Sequence, residues 1–166
     1  MSAKLYLIRH GIAAEAQPGE SDEERALTAA GERKTRKIAK HLRKLDINFD
    51  LILTSPLVRA RQTAEILQAV GLSTKIEEFQ DLAPGGYLEN WLSWLKKWRQ
   101  NGGHSLALVG HQPDLANWAE ILVWGEARER LILKKAGIIG LQLPETETPV
   151  GNCLMFWLVP PKLLLA

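Results

Sequence analysis

A chain of 166 residues, 46% apolar and 24% charged, has the make-up of an ordinary globular protein and can bury a substantial core as one domain over residues 1–166. Its 21 Lys and Arg stand against 19 Asp and Glu, a net charge of +2, too balanced to expect nucleic acid or a membrane as partner. One cysteine, Cys153, excludes an intramolecular disulfide, and no segment approaches the roughly 20 apolar residues of a membrane helix, so a cytoplasmic protein is expected.

In chain order, Leu5-Tyr6-Leu7-Ile8 is an unbroken apolar run, the pattern of a strand buried on both faces, and it leads straight into Arg9, His10 and Gly11. Ligands of open α/β sheets bind beyond the carboxyl ends of the strands, so Arg9 and His10 stand where chemistry is done. Gly11 allows a sharp turn and close approach of an anion to the backbone. Residues 12–26 are acidic and polar without periodicity and read as a long loop, a kind of segment that is often functional. Thr28 is the N-cap of a helix reaching about residue 45, with Ile38, Leu42 and Leu45 on its apolar stripe and His41 on a solvated face.

Residues 50–54 form the second strand. Ser55-Pro56 follows as an N-cap with proline at the first helical position, opening a helix that Gly71 stops. Residues 75–79 are a weak third strand, and a turn at Pro84-Gly85-Gly86 leads to a helix carrying Trp91, Trp94 and Trp98. Their spacing of three and four marks a packing stripe rather than a ligand cage. Residues 105–109 are the fourth strand, with His104 in an exposed turn before it and Gly110-His111-Gln112-Pro113 after it, opening another helix that ends at Gly125. Residues 136–143 and 153–159 are two strands joined by a Pro/Glu/Thr loop, a hairpin at the sheet edge. Strands alternating with helices predict a three-layer α/β sandwich, its mostly parallel central sheet flanked by helices and finished by an antiparallel edge strand.

Three strand-to-helix junctions thus carry Arg9-His10-Gly11, Ser55 to Arg59, and Gly110-His111-Gln112. If these strands are parallel and adjacent, two arginines and two histidines surround one point beside a helix N-terminus, whose free N–H groups favour anions. Crowding of like charge is best explained by a dianionic ligand, and guanidinium groups match phosphoryl oxygens bidentately. Arg59, one turn into its helix, either reaches that anion or is a surface residue of Arg59-Ala60-Arg61; Arg61 points away.

Leu7-Ile8-Arg9-His10-Gly11, Leu27-Thr28-x-x-Gly31, Thr54-Ser55-Pro56-x-x-Arg59-Ala60-x-Gln62-Thr63-Ala64 and Val109-Gly110-His111-Gln112-Pro113 resemble, in order and spacing, the motifs of the histidine phosphatase superfamily. The resemblance spans roughly residues 4–143. The short length and the run Asp22-x-x-Arg25-x-Leu27-Thr28 are similar to the small phosphohistidine phosphatases of the SixA type. It implies a phosphoglycerate mutase-like fold and a metal-independent hydrolase without cofactor. His10 would be the nucleophile, forming a transient phosphohistidine, while Arg9, Arg59 and His111, with Gly11, would bind the phosphoryl group and stabilise the transition state. The chemistry of the residues agrees, since a neutral imidazole is nucleophilic near pH 7 and a covalent intermediate divides one difficult transfer in two.

Members of the wider family that act on phosphate esters carry an acidic proton donor after the third strand. Here Asp81 is the nearby carboxylate, and it is either that donor or a turn-forming residue before Pro84-Gly85. An alkoxide leaving group needs such a proton, typically worth about 10²–10⁴-fold, whereas the imidazole of a phosphoramidate leaves readily once protonated. The expected substrate is therefore a phosphohistidine-containing protein such as a phosphotransfer domain, with phosphate as product. A small-molecule phosphomonoesterase and a non-catalytic phosphate-binding module are the alternatives, the last disfavoured because a mere reader of phosphate needs no nucleophile. Glu15, Asp22 and Arg25 either line the mouth of the site or are solvated.

Overall fold

Successive side chains of a strand point to opposite faces, so the first strand needs apolar partners on both sides. In the computed structural model, which describes residues 2–145 and 148–166, β1 (Lys4–Arg9) sends Leu5 and Leu7 into one apolar cluster and Tyr6 and Ile8 into another. The remaining strands and α-helices are α1 (Ala29–Lys44), β2 (Leu51–Thr54), α2 (Val58–Val70), β3 (Ile76–Glu78), α3 (Leu88–Gln100), β4 (Ser105–Gly110), α4 (Asp114–Trp124), β5 (Ile138–Gln142), β6 (Leu154–Val159) and the short α5 (Pro161–Leu164), with single 3-10 turns at Asp22–Glu24 and Gln80–Leu82. The six strands form one sheet in the order β3-β2-β4-β1-β5-β6. β3, β2, β4 and β1 run parallel, β5 is antiparallel to β1, and β6 closes the edge antiparallel to β5.

The sheet is covered on both faces. Trp91 and Leu95 of α3 with Leu115 and Trp118 of α4 lie over one, and Ile38 and Leu42 of α1 with Ala60, Ala64 and Leu67 of α2 lie over the other. This is the three-layer α/β arrangement that the alternation of elements predicts. Trp91 is fully buried against Trp118, with ring centroids 5.9 Å apart, and Trp94 stacks on Trp98, so the tryptophan stripe is packing. Thr28 caps α1 by accepting the Gly31 N–H at 2.9 Å, and Gly71 ends α2 in the left-handed conformation that glycine adopts without cost.

The structure departs from expectation at three places. α2 starts at Val58 rather than at Pro56, because the Ser55 hydroxyl accepts the Leu57 N–H at 3.2 Å in a local turn and is shared with His111 instead of capping the helix. Arg59 is consequently the second helical residue. Leu45, counted with the apolar stripe of α1, is its C-terminal cap residue and is 48% exposed. The hairpin strands begin later than expected, since Ala136 turns with a positive φ of 62° and donates its N–H to the Arg9 and His10 carbonyls, fastening the end of β1. Thr146 and Glu147 of the hairpin loop lie outside the described residues.

Gly31 explains why the second motif keeps a glycine. A Cβ there would stand 2.2 Å from the Ile12 carbonyl oxygen, so α1 can lie against the chain leaving the site only without a side chain. Gly31→Ala is expected to cost stability despite the gain in helix propensity of about 1 kcal/mol, because overpacking against backbone costs typically about 1–3 kcal/mol and this approach is severe. A lower denaturation midpoint checks this; an unchanged or raised midpoint refutes the close approach.

Candidate active site

Hydrogen bonding between neighbouring strands fixes where the three junctions lie. The β1–β4 register sets Arg9 opposite Gly110, and the β4–β2 register sets Thr54 opposite Val109. The ladder continues past the strand ends: His10 N–H donates to the Gly110 carbonyl at 3.1 Å and Ser55 N–H to the Val109 carbonyl at 2.9 Å. The His10 and His111 rings thereby come to 5.1 Å between centroids, both buried. Arg59 enters from the first turn of α2, buried although charged.

The state of His10 follows from one bond. Its Nδ1 lies 2.7 Å from the Gly11 carbonyl oxygen, which only accepts, so Nδ1 carries the hydrogen and Nε2 keeps a lone pair. Burial lowers the His10 imidazole to about 4; the Gly11 bond opposes this and the charges of Arg59, Arg9 and Lys135 add to it. The ring is thus neutral at pH 7. His111 is lowered to about 3, first by burial and then by His10 and Arg59. Its Nε2 meets Ser55 Oγ at 2.7 Å. The buried Ser55 hydroxyl accepts from Leu57 and has no other acceptor for its own hydrogen among the described residues, so we assign that hydrogen to His111 Nε2, which leaves the His111 Nδ1–H buried without a protein partner, a donor for an anion.

The two arginines are held differently. Arg9 donates through Nη1 to the Leu133 carbonyl at 3.0 Å, its Nε is buried without a partner, and burial lowers its pKa. Arg59 donates to the Asp22 carbonyl at 2.8 Å and to the Asp22 carboxylate at 3.1 Å. Asp22 also binds Arg25 at 2.8 Å, and Arg25 holds the Ala14 carbonyl, so the acidic loop is fastened over the α2 side of the site. Hydrogen bonds from Arg25 and then Arg59 keep the Asp22 carboxyl below its ordinary range.

The motif residues after Arg59 have positional tasks. Thr63 Oγ1 accepts the Gly11 N–H at 3.1 Å and donates to the Arg59 carbonyl at 2.8 Å, and Gln62 Oε1 accepts the Leu27 N–H at 2.7 Å. A Cβ on Gly11 would stand 2.5 Å from Thr35 Oγ1, which is why glycine follows His10. Asp81 is engaged elsewhere: its carboxylate accepts the Tyr87 N–H at 3.0 Å and the Asn90 side-chain amide at 3.2 Å, at the start of α3. His41 and His104 take no part, and Arg61 turns to Glu78 at 3.6 Å. Sequence reasoning located Arg9, His10, Arg59 and His111. It read Ser55 as a cap and left Asp22 undecided, and it gave no role to Lys135 or to the Thr63 hydroxyl. Among the described residues no group of three or more His, Cys, Asp or Glu is arranged to hold a metal.

A family model described as histidine phosphatase superfamily (branch 1) matches residues 5–112, the stretch that contains all four of these side chains. The chain belongs to the histidine phosphatase superfamily. An uncharacterized protein of Picosynechococcus sp. (strain PCC 7002) is 48% identical over 164 residues, 98% of this chain and 99% of that protein. Phosphohistidine phosphatase SixA of Escherichia coli (strain K12) is 26% identical over 159 residues, 95% of this chain and 94% of its own. A solved structure of the protein histidine phosphatase SixA complexed with tungstate superimposes with a TM-score of 0.85 at 26% identity, covering 97% of this chain and 99% of that one. The sheet order and flanking helices are those of this SixA-like fold, and this member of the superfamily is a phosphatase.

In this histidine phosphatase the two low imidazole values carry a sign. A histidine near 6.5 when unfolded and near 3 to 4 when folded takes up a proton on unfolding, so stability is complete above about pH 6.5 and falls as pH drops toward 4. NMR of the ring nitrogens should therefore show His10 and His111 neutral from pH 8 down to pH 5 while the melting temperature declines below pH 6.5; titration of His10 near 6.5 would refute the burial argument. Thr63→Val, which removes the acceptor for Gly11, should lower turnover roughly ten- to a hundredfold with little change in KM, because a small misplacement of a reacting atom is costly. Thr63→Ser should restore most of it. Equal activity of Val and Ser variants would deny Thr63 that task.

Proposed function

We propose that the protein is a phosphohistidine phosphatase acting on a phosphohistidine-containing protein, with His10 as the nucleophile. In the first step a lone pair of His10 Nε2 attacks phosphorus, the P–N bond of the substrate breaks, and the departing imidazole leaves with a proton taken from solvent. In the second, water attacks the phosphorus of phospho-His10, giving inorganic phosphate and the neutral ring. Arg9, Arg59 and the Nδ1–H of His111 bind the phosphoryl oxygens as charge develops, a task typically worth about 10²–10³-fold for each donor removed. Gly11 acts through its carbonyl, which fixes the reactive tautomer.

One observation carries the choice of substrate. Among the described residues Asp22 is the carboxylate bonded to a residue of the site, and Arg25 and Arg59 hold it ionised, the wrong state for a proton donor. Asp81, the sequence candidate for that task, is committed to Tyr87 and Asn90. A site without a ready acid suits a leaving group that needs little help, as the imidazole of a phosphoramidate does, better than an alkoxide. The similarity to SixA proteins, one of them holding the tetrahedral oxyanion tungstate, supports the same reading. A chain with the single cysteine Cys153 forms no disulfide within itself, which supports a reducing cytoplasm as the place of action.

The test is a substrate panel joined to trapping. Phosphohistidine peptides should be hydrolysed far faster than phosphoserine, phosphotyrosine or sugar phosphates, and rapid quench with radiolabelled substrate should leave label on the protein that His10→Ala abolishes. Asp81→Asn should leave phosphohistidine turnover within about twofold. A marked preference for any ester, with loss of that activity in Asp81→Asn, would overturn the substrate and make the protein a phosphomonoesterase.

A further inference from the structure

The reaction centre is flanked by surfaces of opposite sign. On the α2 side the acidic loop brings Asp22 to Arg59. On the other side a groove of about 900 Å³ reaches Arg9 and Gly11, enclosed by α1, the chain just before β5 and the C-terminal α5. Lys34, Lys134, Lys135 and Lys162 line it, all exposed, above an aliphatic wall that includes Ile38 and Leu165. No acidic and no aromatic residue among the described ones lines the groove. Lys135 lies close enough to His10 to oppose its protonation, so the lysine groove and the reaction centre share one field. The Thr35 hydroxyl, 2% exposed and without a partner, sits at the base.

We propose that this groove docks an acidic amphipathic segment of the substrate protein, adjoining the phosphorylated histidine. The proposal rests on the reading of the protein as a phosphoprotein phosphatase. Four ammonium groups set around an aliphatic wall complement a segment whose leucine-like side chains face inward and whose carboxylates face the rim, and such rim charge speeds and selects association. Inorganic phosphate would not need the aliphatic wall. A single-stranded nucleic acid would gain no aromatic surface on which its bases could stack. The acidic loop on the other side of His10 then repels a substrate presented the wrong way round, so the two surfaces orient it.

The probe is a fluorescein-labelled peptide of 16 residues patterned with Glu and Leu at helical spacing, unphosphorylated, titrated with the full chain and with Lys34→Glu/Lys162→Glu. Neither residue belongs to the reaction centre. The wild type should bind and the double variant should bind about tenfold or more weaker, while Lys40→Glu, which does not line the groove, should bind as wild type. A wild type that ignores the peptide, a double variant that binds it equally well, or binding to phosphatidylglycerol vesicles in its place overturns the docking site. In a second measurement the same sequence carries a central phosphohistidine and competes with a Gly/Ser peptide carrying the same group. The wild type should favour the Glu/Leu peptide by about tenfold in kcat/KM, and the double variant should lose that preference but keep its turnover of the Gly/Ser peptide. Hydrolysis of both without preference removes the groove and leaves the phosphatase reading standing. Failure to hydrolyse either phosphohistidine peptide removes the phosphohistidine reading, and the binding titration then still decides the groove.

Discussion

The hydrogen bond from His10 Nδ1 to the Gly11 carbonyl is the contact on which the proposed chemistry turns. An imidazole has two nitrogens and one of them must be committed for the other to attack. Here the commitment is made by the backbone of the very next residue, and that backbone is itself held by Thr63, one helical turn after Arg59. His10 and Arg59 therefore belong to one hydrogen-bonded unit. A shift of α2 would move both together rather than pull them apart.

The cations around His10 act in two ways. They attract a dianion, and before it arrives they keep the buried ring unprotonated by opposing a third positive charge. Burial does most of this, and the arginines and Lys135 add to it. His111 follows the same logic, with Ser55 accounting for one nitrogen and leaving the other for the ligand. Desolvation that would be a liability for a structural histidine here keeps the His10 ring neutral, the form that the proposed attack on phosphorus requires.

The two carboxylates that invite a catalytic reading are both occupied, and the occupation has consequences. Asp22 neutralises part of the Arg59 charge and fastens the first loop, while Asp81 orders the start of α3. The resulting site is rich in charge stabilisation and poor in acid assistance, a combination that discriminates among leaving groups more sharply than among phosphoryl groups. The field it projects is uneven, with carboxylates on the α2 side and lysines on the α5 side. An overall charge of +2 conceals that separation completely.

Much of this was legible in the sequence because it is written in local patterns. The apolar run before Arg9 announced a strand buried on both faces, Thr28 and Gly71 marked helix ends, and strand-then-helix repetition gave the layers. Arg9, His10, Arg59 and His111 were identifiable as a set because each stands at a junction of the same kind. Contacts between segments far apart in the chain were not legible. Ser55 looked like a helix cap and is instead shared with His111, 56 residues away; Asp81 was open between proton donor and turn former and is bound to Tyr87 and Asn90; Lys135 carried no local signal at all. The sequence by itself determined which strands and which of the longer helices form and several of the residues that end them, Thr28 and Gly71 among them, since propensity, capping and periodicity act over a few residues. Only the tertiary structure decided the tautomer of His10, the commitments of the carboxylates and the gathering of lysines beside the site, because each depends on strand order and on backbone groups that no side-chain pattern records.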